Sequence, residues 1–285
     1  MEILELEKEI ENKYKLEENK ENLVGTLLQN LKDDYTDFLV MILKPKYKTD
    51  YYNLEMFGIK GIDYILNAVQ DFEIKQVELN LDDDVIKVIK QNLNSKKYVL
   101  VLYADTPLIK KQTIINILDY FLIKKLCALS FNRGYCFDTN YLKNVDKIYN
   151  PQTQEFEEED FIKVDSSKSF SSCLEILKNR IISYHQQNGV IFENTNSCYI
   201  DAKVNIEKGV IIKNNVTILG KSIVRENSIL YNCSLNRVIL EKNTIIENSI
   251  IENSVVGMGA KIKDYSIIKN ASVKENSVLT NEKIL

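Results

Sequence analysis

Asp105 is the residue of this sequence that is best placed to do chemistry. It follows the apolar run of YVLVLYADTPLI, residues 98–109, which has the composition of a buried strand. In sheets covered by helices, ligands bind beyond the carboxyl ends of the strands, which is where Asp105 is expected to lie. In a second interpretation Asp105 is a helix N-cap, because Pro107 suits the first turn of a following helix. The residues by themselves leave both interpretations open.

The other reactive residue types form no catalytic motif. His185, the only histidine, has no partner motif, and we interpret it as a packing or surface residue. The five cysteines are odd in number, widely spaced and without a C-x-x-C pair, which argues against a disulfide framework and a zinc site. We interpret them as small core residues: Cys127, Cys136, Cys173, Cys198 and Cys233.

The elements that must position Asp105 alternate between strands and helices. FLVMIL, from residue 38, has the length of a strand, and GIDYILNAV follows with apolar residues at helical spacing. DDDVIKVIKQNL repeats the helical pattern, and its three aspartates suit the first turn of a helix. The alternation predicts an α/β domain over residues 37–170 with a mostly parallel, doubly wound sheet. Residues 1–36, rich in Glu, Lys and Asn, are predicted to form a helical N-terminal extension.

A different period begins near residue 196. Aliphatic residues recur every six positions, each followed four positions later by a small residue, and the period resumes after an irregular stretch at 235–249. The pairs are Ile200/Val204, Ile206/Val210, Ile212/Val216, Ile218/Ser222, Val224/Ser228, Leu230/Ser234, Ile250/Ser254, Val256/Ala260, Ile262/Ser266 and Ile268/Ser272. A hexapeptide period is typical of a parallel β-helix, whose stacked coils bury a shared apolar core. We expect a left-handed parallel β-helix over residues 191–285, with three hexads per coil, after a linker helix at 171–190 that stops at Gly189.

Composition and charge exclude several functions. The chain has a net charge of −4, no basic block and only four arginines, so nucleic acid is not an expected partner. No apolar run approaches the length of a bilayer span, and the acidic N-terminus lacks the features of a signal peptide. We therefore expect a cytoplasmic protein that does not cross a membrane.

The order of α/β domain, helix and hexapeptide repeats resembles one bacterial enzyme family. This is the bifunctional N-acetylglucosamine-1-phosphate uridyltransferase and glucosamine-1-phosphate N-acetyltransferase, and the resemblance covers about residues 38–275. Its best local motif, L-Y-G-D-x-P-L-I, is similar to residues 102–109. The resemblance implies a nucleotide-diphospho-sugar transferase-like fold, in which Asp105 holds a catalytic Mg²⁺ and Tyr103 lines the sugar-nucleotide pocket.

Three weaker motif matches follow in the same order along the chain. FNRGYCFD resembles I-N-T-G-I-Y-x-F-D, which implies that Asn132 contacts the sugar. NPQTQEFEEED resembles N-N-A-Q-G-E-Y-Y-L-T-D, which implies a similar role for Glu155, although an acidic run is more often a solvated loop. VDSSKSF resembles V-N-x-R-x-Q-L, which implies that Asp165 is the second metal ligand.

The departures from the family fall on its triphosphate side. The family's glycine-rich G-x-G-T-R-M loop corresponds to LKPKYKTDYYNLEMF, and no glycine lies between Gly25 and Gly58. The lysines of this stretch can supply charge, but not the close backbone approach that glycine permits. The uracil-binding Q-x-x-x-x-G-T motif is replaced by the acidic QVELNLDDDV. The hexapeptide region contains no histidine to act as a general base, which excludes acetyl transfer.

Two functions from different classes fit these observations. The one we favour is a degenerate, non-catalytic relative that acts in binding, regulation or assembly and keeps the sugar-phosphate and metal half of the site. The alternative is an active Mg²⁺-dependent sugar-1-phosphate nucleotidyltransferase, in which positioning and charge neutralisation promote phosphoryl transfer. In both cases the resemblance implies a homotrimer formed through the β-helix.

Overall fold

The chain divides into two compact units, which are described separately. The structure is a computed structural model that describes residues 35–148 and 151–285, so residues 1–34 of the predicted N-terminal extension lie outside it. One unit is Asn30–Glu175, and the other contains Ile176–Leu285. The division falls inside the segment predicted as a linker helix, and the exact bounds of the domains stay predictions.

The first unit is built of alternating strands and helices. Its strands are β1 (Phe38–Pro45), β2 (Glu55–Met56), β3 (Ile59–Lys60), β4 (Glu73–Leu79), β5 (Tyr98–Tyr103), β6 (Ala128–Phe131), β7 (Gly134–Asp138) and β8 (Gln152–Gln154). Its helices are α1 (Gly61–Ala68), α2 (Val85–Gln91), α3 (Lys111–Ile123) and α4 (Thr139–Asn144), with 3₁₀ turns at Tyr51–Asn53 and Glu158–Phe161. A fifth helix, α5 (Ser167–Gln187), begins here and ends in the second unit.

The main sheet of the first unit has the strand order β4-β1-β5-β7-β6-β8. β1 is parallel to β4 and β5, whereas β7 is antiparallel to both β5 and β6. Val101 packs in one buried cluster and its neighbour Leu102 in another, on opposite faces of the sheet. Since both faces are covered, the central strands are apolar throughout rather than alternating. This α/β sheet with its covered faces is the predicted fold class.

Two helix starts show different capping. Asp84 accepts hydrogen bonds from the backbone N–H groups of Ile86 and Lys87 at 2.9 and 3.1 Å, which confirms the predicted acidic start of α2. α3 begins only at Lys111. Its start is bound instead by the buried carboxylate of Asp160, which accepts from the Lys110 N–H at 3.3 Å and from the Thr113 hydroxyl. The interpretation of Asp105 as a helix cap is therefore wrong.

The second unit contains short strands at regular intervals. They are β9 (Ile191–Phe192), β10 (Cys198–Ile200), β11 (Asn205–Ile206), β12 (Ile211–Ile212), β13 (Val216–Leu219), β14 (Ile223–Val224), β15 (Ile229–Tyr231), β16 (Cys233–Leu240), β17 (Ile245–Glu247), β18 (Ile250–Val256), β19 (Lys261–Lys263), β20 (Ile267–Lys269), β21 (Ser272–Val273), β22 (Val278–Thr280) and β23 (Lys283–Ile284). Strands of successive coils pair in parallel, as in β10-β13-β16-β18-β20-β23. The unit is the predicted parallel β-helix.

The coils are not all of the predicted length. Cys198 pairs with Val216, 18 residues later, as three hexads require, but Ser234 pairs with Ile250 after only 16. The two missing residues change the register of the core positions, so Ile250 is 42% exposed and Ile251 is fully buried. The prediction that Ile250 faces the core was wrong, because the turns of this coil have lost residues.

The linker helix and the cysteines differ in detail from expectation. α5 begins four residues before the predicted 171 and ends at Gln187, and Gly189 follows with a positive φ of 86°, as expected for a C-terminal stop. Four cysteines are buried as predicted, but Cys127 is exposed.

Among the helices that the structure describes, none combines the length and apolar character that a bilayer crossing requires.

Candidate functional site

Asp105 lies just beyond the carboxyl end of β5 and is completely buried. Its carboxylate accepts two hydrogen bonds from Arg133, from Nε to Oδ1 at 2.7 Å and from Nη2 to Oδ2 at 2.6 Å. The Tyr47 hydroxyl donates a further hydrogen bond to Oδ2. A bidentate guanidinium–carboxylate pair is among the strongest polar contacts that side chains form. Both oxygens of Asp105 are therefore occupied by protein donors.

The β6–β7 hairpin places Arg133 beside Asp105. Only Asn132 and Arg133 lie between the two strands, and Gly134 pairs with Leu102 in the antiparallel β5–β7 ladder. Arg133, the residue before Gly134, thus lies beside the residues that follow Leu102, and Asp105 is among them. A side chain on Gly134 has no room, since a Cβ there would lie 2.4 Å from the Phe131 ring and 2.5 Å from the Val101 carbonyl oxygen. Close packing at glycine consequently fixes the hairpin tip.

Two tyrosines complete the surroundings of the ion pair. The guanidinium carbon of Arg133 lies 4.3 Å from the centroid of the Tyr103 ring, a cation–π contact. Burial raises the pKa of Tyr103 to about 12. Burial, with the hydrogen bond to Asp105, also raises the pKa of Tyr47, so this hydroxyl stays a proton donor. For Arg133, burial alone lowers the pKa, but the hydrogen bonds and charge of Asp105 outweigh it and the pKa is raised.

Asp165 lies close to Asp105 but has a different partner. The backbone N–H of Val164 donates to the carbonyl oxygen of Asp105 at 2.8 Å, which holds the two segments together. The Asp165 carboxylate forms an ion pair with Lys163 at 2.7 Å, and the hydrogen bond from Lys163 lowers its pKa. Lys163 also lies 5.1 Å from the centroid of the Tyr47 ring. The structure thus brings Asp105 and Asp165, the two predicted metal ligands, close together. Each forms an ion pair with a different cationic side chain.

Asn132 and Glu155, the predicted sugar contacts, are also brought together. Both side chains are exposed. The Asn132 side chain accepts from the backbone N–H of Phe156 at 2.8 Å and donates to the Phe156 carbonyl at 3.4 Å, so it fastens the loop that carries Glu155 to the hairpin tip. Their contacts with a sugar stay predictions, as do the ligand roles of Tyr103, Asp105 and Asp165.

On the triphosphate side, one of the lysines already has a carboxylate partner. Lys46 forms an ion pair with Glu78 of the neighbouring strand β4 at 2.7 Å. Tyr52 holds the same stretch in place, because its buried hydroxyl donates a hydrogen bond to the carbonyl oxygen of Pro45 at 3.0 Å. The chain after β1 is thus held by side chains where the related family uses a glycine loop.

The residues present do not fit a divalent cation. Mg²⁺ needs oxygen ligands at about 2.0–2.1 Å in octahedral geometry. Both oxygens of Asp105 already accept hydrogen bonds from Arg133, and Asp165 is paired with Lys163. Among the residues that the structure describes, no group of three or more His, Cys, Asp or Glu side chains could hold a metal ion. As arranged, the site is a neutral cluster of two ion pairs.

Three residues of this cluster were missed by the reasoning from sequence: Arg133, Tyr47 and Lys163. One signal could have found the first, since Arg133 stands where the family motif I-N-T-G has threonine. Arginine directly after a predicted sugar contact, in a chain with only four arginines, suggested a specific partner. Tyr47 lies in a lysine-rich stretch and Lys163 follows an acidic one, and neither carried a comparable signal.

Comparisons with known proteins agree with this architecture. A family model described as the GMPPB C-terminal domain matches residues 194–285. The bifunctional protein GlmU of Streptococcus thermophilus is 33% identical over 139 residues, which cover 48% of this chain and 30% of that protein. The GlmU protein of Clostridium kluyveri is 25% identical over 285 residues, which cover 77% of this chain and 62% of that protein. The chain therefore spans less than two thirds of the length of these relatives.

Solved structures match about half of this chain at low identity and low TM-score. A cytidylyltransferase from Leptospira borgpetersenii superposes with a TM-score of 0.41 and 13% identity, covering 52% of this chain and 87% of that one. Molybdopterin-guanine dinucleotide biosynthesis protein A from Archaeoglobus fulgidus gives a TM-score of 0.39 and 12% identity, covering 50% and 99%.

Proposed function

We propose that this chain is a GlmU-like protein of the sugar nucleotidyltransferase-like family, and that it is a non-catalytic member that binds a sugar phosphate or nucleotide sugar. The observation that carries the proposal is the bidentate pairing of the buried Asp105 with Arg133. Nucleotidyl transfer in related proteins depends on a metal at this aspartate and on neutralisation of the triphosphate. Here the aspartate is neutralised by a side chain instead.

The triphosphate side supports the same proposal. Preorganised donors that stabilise charge each contribute about 10²–10³ in rate, and the backbone donors of a glycine loop have no counterpart in this sequence. Lys46 is paired with Glu78 and adds little net charge. We expect uridylyl transfer to be slower than in an intact family member by several orders of magnitude.

The proposed ligand side is formed by the hairpin tip and the loop next to it. Asn132 and Glu155 are exposed there, and the Arg133 side chain keeps 23% of its surface exposed. Amide and carboxylate groups can bond sugar hydroxyls, while a guanidinium suits a phosphate oxygen. This combination favours a phosphorylated sugar over a free nucleotide.

A release assay for pyrophosphate tests the loss of catalysis. With UTP, N-acetylglucosamine 1-phosphate and Mg²⁺, we expect no release above the level of the Asp105→Asn variant. Robust release that Asp105→Asn abolishes would establish the alternative, an active sugar-1-phosphate nucleotidyltransferase.

Binding is measured separately by thermal shift with UDP-N-acetylglucosamine or N-acetylglucosamine 1-phosphate. A ligand at a hundredfold excess over its Kd stabilises the native state by about 2.7 kcal/mol, a shift of a few degrees.

We also propose that the β-helix assembles three copies of the chain. Ile191, Ile211, Ile229 and Ile245 stand opposite one another on successive coils of one face, next to core residues, so their side chains point outward. Ile191 is 53% exposed and the other three are half-buried. A ladder of outward isoleucines is an expected contact surface between β-helices.

Light scattering at micromolar concentration tests this assembly. We expect a trimer that Ile229→Glu dissociates, because the charge would be buried in the contact. Thr217→Glu is the matched control, since Thr217 lies on the adjacent face of the β-helix and is also half-buried. A monomer for the unmodified chain, or dissociation by the control alone, would contradict the assignment of this face.

A further inference from the structure

The two carboxylates predicted to hold a divalent cation each have a cationic side chain of their own. Arg133 is paired with Asp105 at 2.6 Å, and Lys163 with Asp165 at 2.7 Å. We propose that these two side chains replace the metal: together they carry the two positive charges of a divalent cation, so the site excludes metal and binds its ligand without one. The choice of a sugar phosphate as that ligand rests on the proposed function, whereas the exclusion of metal does not.

The geometry at Asp105 explains why a cation would be excluded. A metal ion needs a carboxylate oxygen at about 2.0–2.1 Å, whereas Nε and Nη2 of Arg133 lie within 2.7 Å of the two oxygens. A divalent cation bound to either oxygen would therefore stand next to a guanidinium that is always charged. Electrostatic repulsion at such a distance, in a buried site, is strong because little water screens it.

Arg133 has no easy way to leave the carboxylate. Its guanidinium is stacked on the Tyr103 ring, and Nη2 also lies 3.3 Å from the Tyr47 hydroxyl. Its backbone belongs to the two-residue turn that the packing of Gly134 fixes against β5. Displacement of Arg133 would leave Asp105, which is completely buried, without its counter-ion. The ion pair is thus a fixed part of the fold.

Lys163 is the weaker of the two replacements. Its side chain and that of Asp165 are 40% and 37% exposed, so water screens their pairing and either can reorient. The N–H of Val164, bonded to the carbonyl of Asp105, keeps this pair beside the first one. We therefore assign the exclusion of metal mainly to Arg133, and to Lys163 a contribution to charge balance.

The same arrangement suits a phosphate. The bonds to Asp105 and Tyr47 use Nε and Nη2 of Arg133, and within the described residues none of these bonds uses Nη1. A guanidinium oriented by a carboxylate can donate from its remaining nitrogen to a phosphate oxygen. Lys163, next to Tyr47, can add a further hydrogen-bond donor, its charge being balanced by Asp165. The ligand class is a sugar carrying a phosphate or diphosphate.

Titration with Mn²⁺ alone, followed by the electron paramagnetic resonance signal of the free ion, tests the exclusion of metal. For the unmodified protein we expect no binding that depends on Asp105, so the Asp105→Asn variant gives the same curve. Arg133→Thr, which introduces the residue of the family motif, should bind Mn²⁺ at least tenfold more tightly. The double variant Arg133→Thr/Asp105→Asn should lose this gain.

Lys110→Thr is the matched control for a buried carboxylate that merely loses its cationic partner. Lys110 pairs with the completely buried Asp160 at 3.1 Å. The proposal predicts no comparable gain in Mn²⁺ affinity there, because Asp160 is not one of the predicted metal ligands and still accepts a hydrogen bond from Thr113. Equal gains in both variants would overturn it.

Two further results would also overturn the proposal. One is Mn²⁺ binding by the unmodified protein that Asp105→Asn removes, a measurement that remains possible if Arg133→Thr does not fold. The other is a folded Arg133→Thr variant with unchanged affinity. These measurements need neither ligand nor turnover, so they are independent of the proposed function. With ligand, the thermal shift produced by N-acetylglucosamine 1-phosphate should be the same with Mg²⁺ and with EDTA.

Discussion

The two units bury polar side chains in different ways. In the α/β unit, Asp105 is neutralised by a single contact between distant parts of the chain. In the β-helix, buried serines repeat one neutral pattern: Ser254 donates to the carbonyl of Glu252 at 2.7 Å and accepts from the N–H of Ala271, one coil further, at 3.1 Å. Ser222 and Ser266 do the same. The repeated pattern serves stability, whereas the Asp105–Arg133 pair lies at the proposed site.

The largest effect should come from breaking the charged pair. Arg133→Ala leaves a buried carboxylate without its counter-ion, and we expect a loss of about 3–5 kcal/mol in the free energy of unfolding, measured by urea denaturation. The double variant Arg133→Met/Asp105→Asn removes both charges and should recover much of that loss. If the single and double variants were equally destabilised, the ion pair would not be the cause.

A second substitution tests the register of the β-helix. Ile251→Ala removes a fully buried side chain and should cost about 2–5 kcal/mol. Its neighbour Ile250 is 42% exposed, so Ile250→Ala should cost about 0.5 kcal/mol or less. Thermal denaturation of both variants measures the difference. A larger cost for Ile250→Ala than for Ile251→Ala would contradict the observed register and support the hexad register predicted from the sequence.

His185 sharpens the comparison, because it is buried without the partners that Asp105 has. It is 3% exposed, and among the described residues its Nδ1 is a buried side-chain atom without a hydrogen-bond partner. Burial lowers the pKa of His185 to about 4. Between pH 6.5 and 4 the unfolded chain takes up a proton that the folded chain does not, so stability falls as the pH falls. The loss should approach about 3 kcal/mol and vanish above pH 6.5.

The pH dependence of unfolding in His185→Leu isolates this contribution. The difference in unfolding free energy between the unmodified protein and the variant should be constant above pH 6.5 and should shift in favour of the variant down to about pH 4. A difference that stays constant across this range would mean that His185 is protonated in the folded state.

The smallest effect should come from the repeated serines. Ser254→Ala leaves the N–H of Ala271 without its acceptor, and we expect a cost of about 1–3 kcal/mol, toward the lower end because no charge is involved. Ser254→Thr serves as the control, since it keeps the hydroxyl but must fit an added methyl group. A cost for Ser254→Ala as large as for Arg133→Ala would contradict the contrast between the two units.

The sequence by itself determined the features that depend on local period. The hexads predicted a parallel β-helix, the strand–helix alternation predicted the α/β sheet, and the three aspartates predicted the start of α2. Each depends on residues close together in sequence, so its signal can be read without knowing the fold. The position of Asp105 at the end of β5 was predictable for the same reason.

Only the tertiary structure decided what Asp105 contacts. Arg133 is 28 residues away and Tyr47 is 58, and neither separation carries a period. The position of Arg133 depends on the register of β7 against β5, which the packing of Gly134 fixes. Tyr47 follows β1, the parallel neighbour of β5 on its other side. Likewise, Ile251 rather than Ile250 faces the β-helix core because several coils are shorter than 18 residues. A shift of one residue exchanges the two faces of a strand, so such a choice is settled by the packing of the whole coil.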